Sequence, residues 1–197
     1  MLFRSEASAS NPANSEPHRL DLLVLPESTF EQTLAAEDLG PLIEALLGPE
    51  RPAVLVGSTV RDDGRSYNRA LLLPQNAAAT SSYDKRQLLP FAERRWLFAS
   101  SADYTPGATS AAMSVEGAPF VTSICYESLF GEQTRADLQS SGGTFLVNLA
   151  NDGWFNDARP IEAQIRALQL RAIENGVPVV RAARDGVSVA IAADGTV

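Results

Sequence analysis

Cysteine, histidine and lysine are almost missing from this chain of 197 residues: Cys125, His18 and Lys85 are each the sole example of their type. One thiol excludes an intrachain disulfide and any multi-thiolate zinc site. With one histidine, in a polar segment, metal chemistry would have to rest on carboxylates alone. Long apolar runs are missing too. Stretches such as Leu22 to Leu25 and Ala70 to Leu73 fall far below the roughly 18 residues needed to span a bilayer, so no transmembrane helix is expected. Met1-Leu2-Phe3 runs into Arg4 and a Ser/Ala/Asn/Pro/Glu stretch without the apolar core of a signal peptide. Any export signal is expected outside this sequence. Positive charge is also short, 16 Lys+Arg against 24 Asp+Glu for a net charge of -8, which argues against a general nucleic-acid binder that must neutralise many phosphates.

What is present is the composition of a soluble globular chain of about one domain, 45% apolar and 20% charged. The basic residues are 15 arginines and one lysine. Because a compact ammonium and a planar guanidinium are not interchangeable, Lys85 points to a task that arginine does not perform, with chance as the rival explanation.

Residues 1–20 read as a flexible N-terminal segment, polar and proline-containing from residue 4 onward, and residues 21–197 as one domain. Asp21 to Pro26 predicts a short strand buried on both faces and stopped by proline. Leu42, Ile43, Leu46 and Leu47 predict a helix over about 39–47. Two strands, Ala53 to Val60 and Tyr67 to Leu73, predict a hairpin around Asp62-Asp63-Gly64. Residues 75–110 read mostly as loop. Further strands are expected at Phe120 to Ile124, Thr144 to Leu149, Val177 to Ala182 and Val187 to Ala192. Helices are expected from Glu132 to Leu138 and from Pro160 to Asn175, the latter ended by Gly176 and Pro178. This order implies an α/β layered domain with a mixed sheet.

Three residues stand where chemistry is possible. Cys125 lies where an apolar strand gives way to a helix, and backbone N–H groups there are expected to lower the thiol pKa and to hold an oxyanion. The bland alternative is a small buried hydrophobe. Glu27 emerges at a strand end after Pro26, a position for a proton acceptor, or else for a solvated loop carboxylate or helix cap. Lys85 sits in Tyr83-Asp84-Lys85-Arg86 ahead of Glu93, which would orient the ammonium; a surface lysine and a solvated glutamate are the defaults. Together Glu27, Lys85 and Cys125 supply a base, a cation and a nucleophile, the three functions that acyl transfer at a carbonyl requires.

Leu25-Pro26-Glu27-Ser28, Tyr83-Asp84-Lys85-Arg86 with Leu89-Pro90-Phe91 and Glu93, and Ile124-Cys125-Tyr126-Glu127 resemble the Glu, Lys and Cys motifs of the nitrilase superfamily. Gly131-Glu132-Gln133, Asn151-Asp152-Gly153-Trp154-Phe155 and Arg171-Ala172-Ile173-Glu174 extend the resemblance, over about residues 21–197, to its apolipoprotein N-acyltransferase branch. The resemblance implies a nitrilase-like α-β-β-α sandwich with mixed sheets, lacking the family's first strand and C-terminal tail. It implies a catalytic triad of Glu27, Lys85 and Cys125, support from Glu93, Tyr126, Glu127 and Asn68, and no cofactor or metal. The implied partners are a phospholipid acyl donor and a diacylglyceryl lipoprotein acceptor, and no nucleic acid. The implied location is the bacterial inner membrane, with the catalytic domain facing the periplasm and membrane segments absent from this chain.

Gln87 and Ala92 depart from the usual His and Gly, Arg94-Arg95-Trp96 replaces the usual continuation after Glu93, and Arg184-Asp185-Gly186 stands where Asn-Thr-Gly-like residues are common. Arg94-Arg95-Trp96 would meet anionic headgroups or form a solvated loop. Trp154-Phe155 would meet acyl chains or join the core. A soluble nitrilase-like amidase and an inactive fragment that only binds partners are the alternative functions.

Overall fold

The computed structural model describes residues 2–3, 20–35, 37–75, 81–90, 92–93, 103–110 and 112–197. Most of the expected lead-in, His18 and Arg94-Arg95-Trp96 lie outside these residues. Among the described residues the chain forms two sheets. The first comprises β1 (Leu2–Phe3), β2 (Leu22–Val24), β3 (Leu34–Ala35), β4 (Ala53–Asp62), β5 (Arg65–Leu73) and β6 (Ser81–Asp84), with α1 (Leu39–Leu47) between β3 and β4. The second comprises β7 (Met113–Val115), β8 (Ala118–Ile124), β9 (Phe145–Asn151), β10 (Val179–Arg184) and β11 (Val189–Ile191). Helices α2 (Gly131–Ser141) and α3 (Ala158–Asn175) make the two crossovers between its parallel strands β8, β9 and β10.

The expected hairpin forms as β4 and β5, paired from Val54↔Leu73 to Asp62↔Arg65. Its turn places Asp63 at φ 46° and Gly64 at φ 74°, the handedness that matches the twist of paired strands. Helix α3 starts two residues before the expected Pro160, because the Asp157 carboxylate accepts from the Arg159 N–H at 2.9 Å and caps it. It ends at Gly176, in the left-handed region as expected. Short strands β3, β6 and β7 were not legible; β6 carries Ser81-Ser82 and falls in a segment read as loop. Leu2–Phe3 pairs antiparallel with Leu22 and Leu23 and covers an edge of β2 that the sequence reading left without a partner.

Side-chain alternation explains the layers. Leu55, Ala70 and Leu72 point into a core shared with Phe120, Ile124, Phe145, Val147 and Leu149 of the second sheet, where Phe120 and Phe145 stack at 4.9 Å. Their neighbours Val54, Val56, Leu71 and Leu73 face the other way, onto Leu39 and Ile43 of α1. In the second sheet Val121, Leu146 and Val179 face Leu138 of α2 and Leu168 and Ala172 of α3. Strands apolar on both faces are therefore central layers, and the result is the α-β-β-α sandwich.

One local approach matters for the site. β2 and β3 both run parallel to β4, against Ala53 to Leu55 and against Val60-Arg61 respectively, and the chain between them swings out past Gly57. A Cβ at Gly57 would lie 2.6 Å from the Pro26 carbonyl oxygen and 2.8 Å from Glu27 Cα. Gly57→Ala is expected to destabilise the fold by about 1–3 kcal/mol, the usual cost of overpacking, read as a lower urea midpoint at unchanged slope.

Candidate active site

Each sheet contributes strand ends to one buried cluster. Glu27 leaves β2 while Leu25 N–H still donates to the Leu55 carbonyl, and Thr29 N–H returns to the Gly57 carbonyl. Between them Ser28 sits at φ 55°, which turns the chain away from β4. Asn68 belongs to β5. Lys85 follows β6, and its N–H donates to the Asn68 carbonyl at 2.9 Å, prolonging the β5–β6 pairing by one bond. Cys125 follows β8 and opens a short 3-10 turn, Cys125–Leu129, with φ 52°. A non-glycine residue held in the left-handed region is strained, and such strain collects at functional sites.

The side chains converge. Glu27, Lys85, Cys125, Asn68 and Glu93 are all buried, with Lys85 only 2% exposed. The surface-lysine and solvated-carboxylate alternatives therefore fail. Lys85 Nζ donates to Glu93 Oε1 at 2.9 Å and to Glu27 Oε1 at 3.4 Å. The Asn68 amide donates to the same two oxygens, at 2.6 Å to Glu27 and 2.9 Å to Glu93. Glu93 Oε2 accepts the Leu89 N–H at 2.7 Å, so Glu93 is occupied at both oxygens. Glu27 Oε2 is buried and accepts no hydrogen bond among the described residues. The two carboxylates are thus unequal: one braces, the other keeps an oxygen free.

Electrostatics tie Cys125 to this group. Burial, then the Glu27 carboxylate, push its thiol up to about 12, against the pull of Lys85 and a hydrogen bond from the Tyr126 N–H. This corrects the expectation of a lowered thiol pKa: desolvation of the sulfur outweighs the backbone dipoles of a single short turn. Burial opposes the Lys85 charge, but Glu27, Cys125 and Glu93 outweigh it and hold the ammonium above its ordinary pKa. In the resting site the proton stays on sulfur and the charge stays on lysine.

Glu127 and Tyr126 divide their roles. Fully buried Glu127 accepts from the Ile124, Arg86 and Gln87 N–H groups at 2.8, 2.8 and 3.0 Å and from the Tyr83 hydroxyl at 2.8 Å. It ties the cysteine turn to the lysine loop. Tyr126 is half-buried, with its ring edge-on to Phe130 at 5.1 Å. Trp154 is 74% exposed, so the alternative that placed it in the core is wrong: the 3-10 turn Asp152–Trp154 carries it off the end of β9 into solvent.

Three contacts escaped the sequence reading. Tyr83 stands within a motif, but nothing in that motif marks it as the partner of Glu127. Asn148, inside a strand read as apolar, donates to the Cys125 carbonyl at 3.2 Å. Gln164 of α3, 4% exposed, points its amide at Cys125 Sγ, 3.9 Å away; a polar residue between Ile161 and Leu168 on the apolar face of the helix is the one signal in the sequence. Among the described residues no group of three His, Cys, Asp or Glu side chains is arranged to hold a metal ion.

The carbon-nitrogen hydrolase family profile matches residues 9–197. The chain belongs to the carbon-nitrogen hydrolase family. It is similar to the apolipoprotein N-acyltransferases of Methylococcus capsulatus, at 34% identity over 88% of this chain and 37% of the relative, and of Sinorhizobium fredii, at 30% over 96% of this chain and 39% of the relative. It therefore spans well under half the length of those relatives. Among solved structures, a CN-hydrolase superfamily protein from Xanthomonas campestris with an arsenic adduct in its active site matches at TM-score 0.72 and 24% identity, covering 90% of this chain and 72% of the other. An amidase from Nesterenkonia sp. AN1, carrying the acetamide moiety of fluoroacetamide on its active-site cysteine, matches at TM-score 0.71 and 21% identity, covering 89% and 71%. Such structural likenesses define the nitrilase-superfamily fold.

Two outcomes follow for this carbon-nitrogen hydrolase domain. Because Glu27 raises the thiol pKa, Glu27→Gln is expected to move the alkylation profile of Cys125 with iodoacetamide to lower pH, so that at a fixed mildly alkaline pH the variant alkylates faster than wild type. Glu127→Ala leaves three backbone N–H groups and a tyrosine hydroxyl without their acceptor, and is expected to cost at least about 3 kcal/mol, seen as a lowered melting temperature.

Proposed function

We propose that this domain is an N-acyltransferase acting through a Cys125 thioester, with a phospholipid as acyl donor and the N-terminal amine of a diacylglyceryl-cysteine lipoprotein as acceptor. The observation that carries this reading is the inequality of the two carboxylates: Glu93 is saturated, whereas Glu27 keeps a free buried oxygen and its charge acts on the thiol. Glu27 takes the thiol proton as sulfur attacks the ester carbonyl, which offsets the cost of ionising a thiol raised by burial. The oxyanion that forms is held by Lys85 Nζ and the Tyr126 N–H. Collapse expels the lysolipid alkoxide, which recovers the proton from Glu27 and leaves the thioester. The lipoprotein amine then attacks the same carbonyl and gives its proton to Glu27. The thiolate leaves, and Glu27 returns the proton to it. One nucleophile serving two substrates in turn is a ping-pong scheme.

The relatives named apolipoprotein N-acyltransferase support the choice of substrates. So does Trp154, which stands in solvent just past β9, the neighbour of the strand that Cys125 follows. None of the described helices is long and apolar enough to cross a membrane. The proposed workplace is the periplasmic face of the bacterial inner membrane, reached through membrane segments outside this chain. The likeness to an amidase favours one second reading, in which water takes the place of the amine and a small amide is hydrolysed.

Intact mass spectrometry after incubation with phospholipid vesicles tests the proposal. Wild type is expected to gain one acyl mass that hydroxylamine removes, Cys125→Ala none, and Glu27→Gln at least about 100-fold less per unit time, the scale of a lost general base. An adduct retained by Cys125→Ala overturns the nucleophile, and turnover of a small amide without any lipid-derived adduct transfers the assignment to the amidase.

A further inference from the structure

We infer that Gln164 is a preset hydrogen-bond donor to the sulfur of Cys125, held in that orientation by Arg181 and Asp152. The inference rests on the reading of Cys125 as nucleophile and assigns a use to the Asp152 motif that the triad does not absorb. Arg181 and Asp152 are both fully buried, joined by Nη1 to Oδ2 at 3.0 Å and Nη2 to Oδ1 at 2.8 Å. Nη1 also donates to the Val187 carbonyl at 2.7 Å, and Nη2 to Gln164 Oε1 at 3.4 Å. The room for this pair is made by Gly186, where a Cβ would fall 1.8 Å from Asp152 Oδ2.

A guanidinium has donors and no acceptor. The amide oxygen of Gln164 must therefore face Arg181, which turns its NH2 toward Cys125 Sγ at 3.9 Å. The flipped amide would set NH2 against guanidinium, where no acceptor meets it, and would leave a carbonyl oxygen facing the sulfur as it gains charge. At 3.9 Å the contact to a neutral thiol is weak. It strengthens as sulfur gains charge, which happens when Cys125 attacks and again when it leaves the thioester. The buried ion pair thus fixes a neutral donor on the side of the sulfur served by α3, while Glu27, Glu93 and Lys85 act on the same thiol through their charges.

The single cysteine makes alkylation report on Cys125 alone. Iodoacetamide alkylation and ultraviolet thiolate absorbance are followed against pH for wild type, Gln164→Met and Gln164→Glu, with Cys125→Ala as the blank. Methionine keeps the length and removes the donor. Glutamate keeps an acceptor for Arg181 and sets a carboxylate oxygen against sulfur. The titration midpoint is expected to rise in both variants, further in Gln164→Glu, and alkylation on the rising limb to fall about tenfold, the scale of one hydrogen bond to a charged group. A midpoint unmoved in a folded Gln164→Glu overturns the inference, as does a uniform loss of alkylation at every pH, which would report access and not charge. If Gln164→Met does not fold, Gln164→Glu decides alone. Midpoints that rise while wild type forms no acyl adduct leave this inference standing and remove the acyltransferase reading; unmoved midpoints beside a normal adduct do the reverse.

Discussion

A lysine ammonium taken out of water is the constraint around which this domain is arranged. Desolvating such an ion costs several kcal/mol even after relaxation, and Glu93 and Glu27 offset that cost by each presenting an oxygen to Lys85. Those carboxylates in turn need the Asn68 amide, which donates to each of them. Removing any one member takes a partner from at least one buried charge. This interdependence draws strands β2, β5 and β6 and the Glu93 turn to a single point, although their residues span positions 27 to 93.

The second sheet meets that point through backbone strain. Cys125, just past the end of β8, and Ser28, next to Glu27, are both held in a left-handed conformation, and the charges of Lys85, Glu27 and Glu93 act on the thiol. Neither turn would persist alone. Glu127 holds the cysteine turn by accepting the Ile124 N–H across it, while also gathering donors from the lysine loop. Arg184 at the end of β10 donates to the Ser28 carbonyl at 2.7 Å, tying the Glu27 turn to the other sheet. The strain is borne by contacts between sheets, which is why the site lies where the two layers meet.

Burial of the sulfur has a chemical consequence. A thiol held well above its ordinary pKa is protected from adventitious alkylation and oxidation, since the thiolate is the reactive form. Under the proposed function, a base takes its proton as the sulfur attacks. The free oxygen of Glu27 suits that task, and the saturated Glu93 does not.

Much of this was legible in the chain. Strands apolar on consecutive residues, such as Ala53 to Val56 and Phe145 to Val147, identify central layers, and the turn at Asp63-Gly64 and the stop at Gly176 follow from backbone chemistry that is local. The rarity of lysine and cysteine singled out Lys85 and Cys125, a strand end singled out Glu27, and the resemblance to the nitrilase superfamily added Glu93, Asn68, Tyr126 and Glu127. The sequence by itself therefore determined the layers, because periodicity is a property of neighbours along the chain, and its motifs, through the resemblance they carry, supplied the cast of the site. Tertiary structure alone decided that Glu93 is saturated while Glu27 keeps a free oxygen, that burial raises the thiol against the backbone dipoles, that Trp154 stands in solvent, and that Gln164 faces the sulfur. Each of these depends on which distant groups share a desolvated space, and no spacing in the sequence records that.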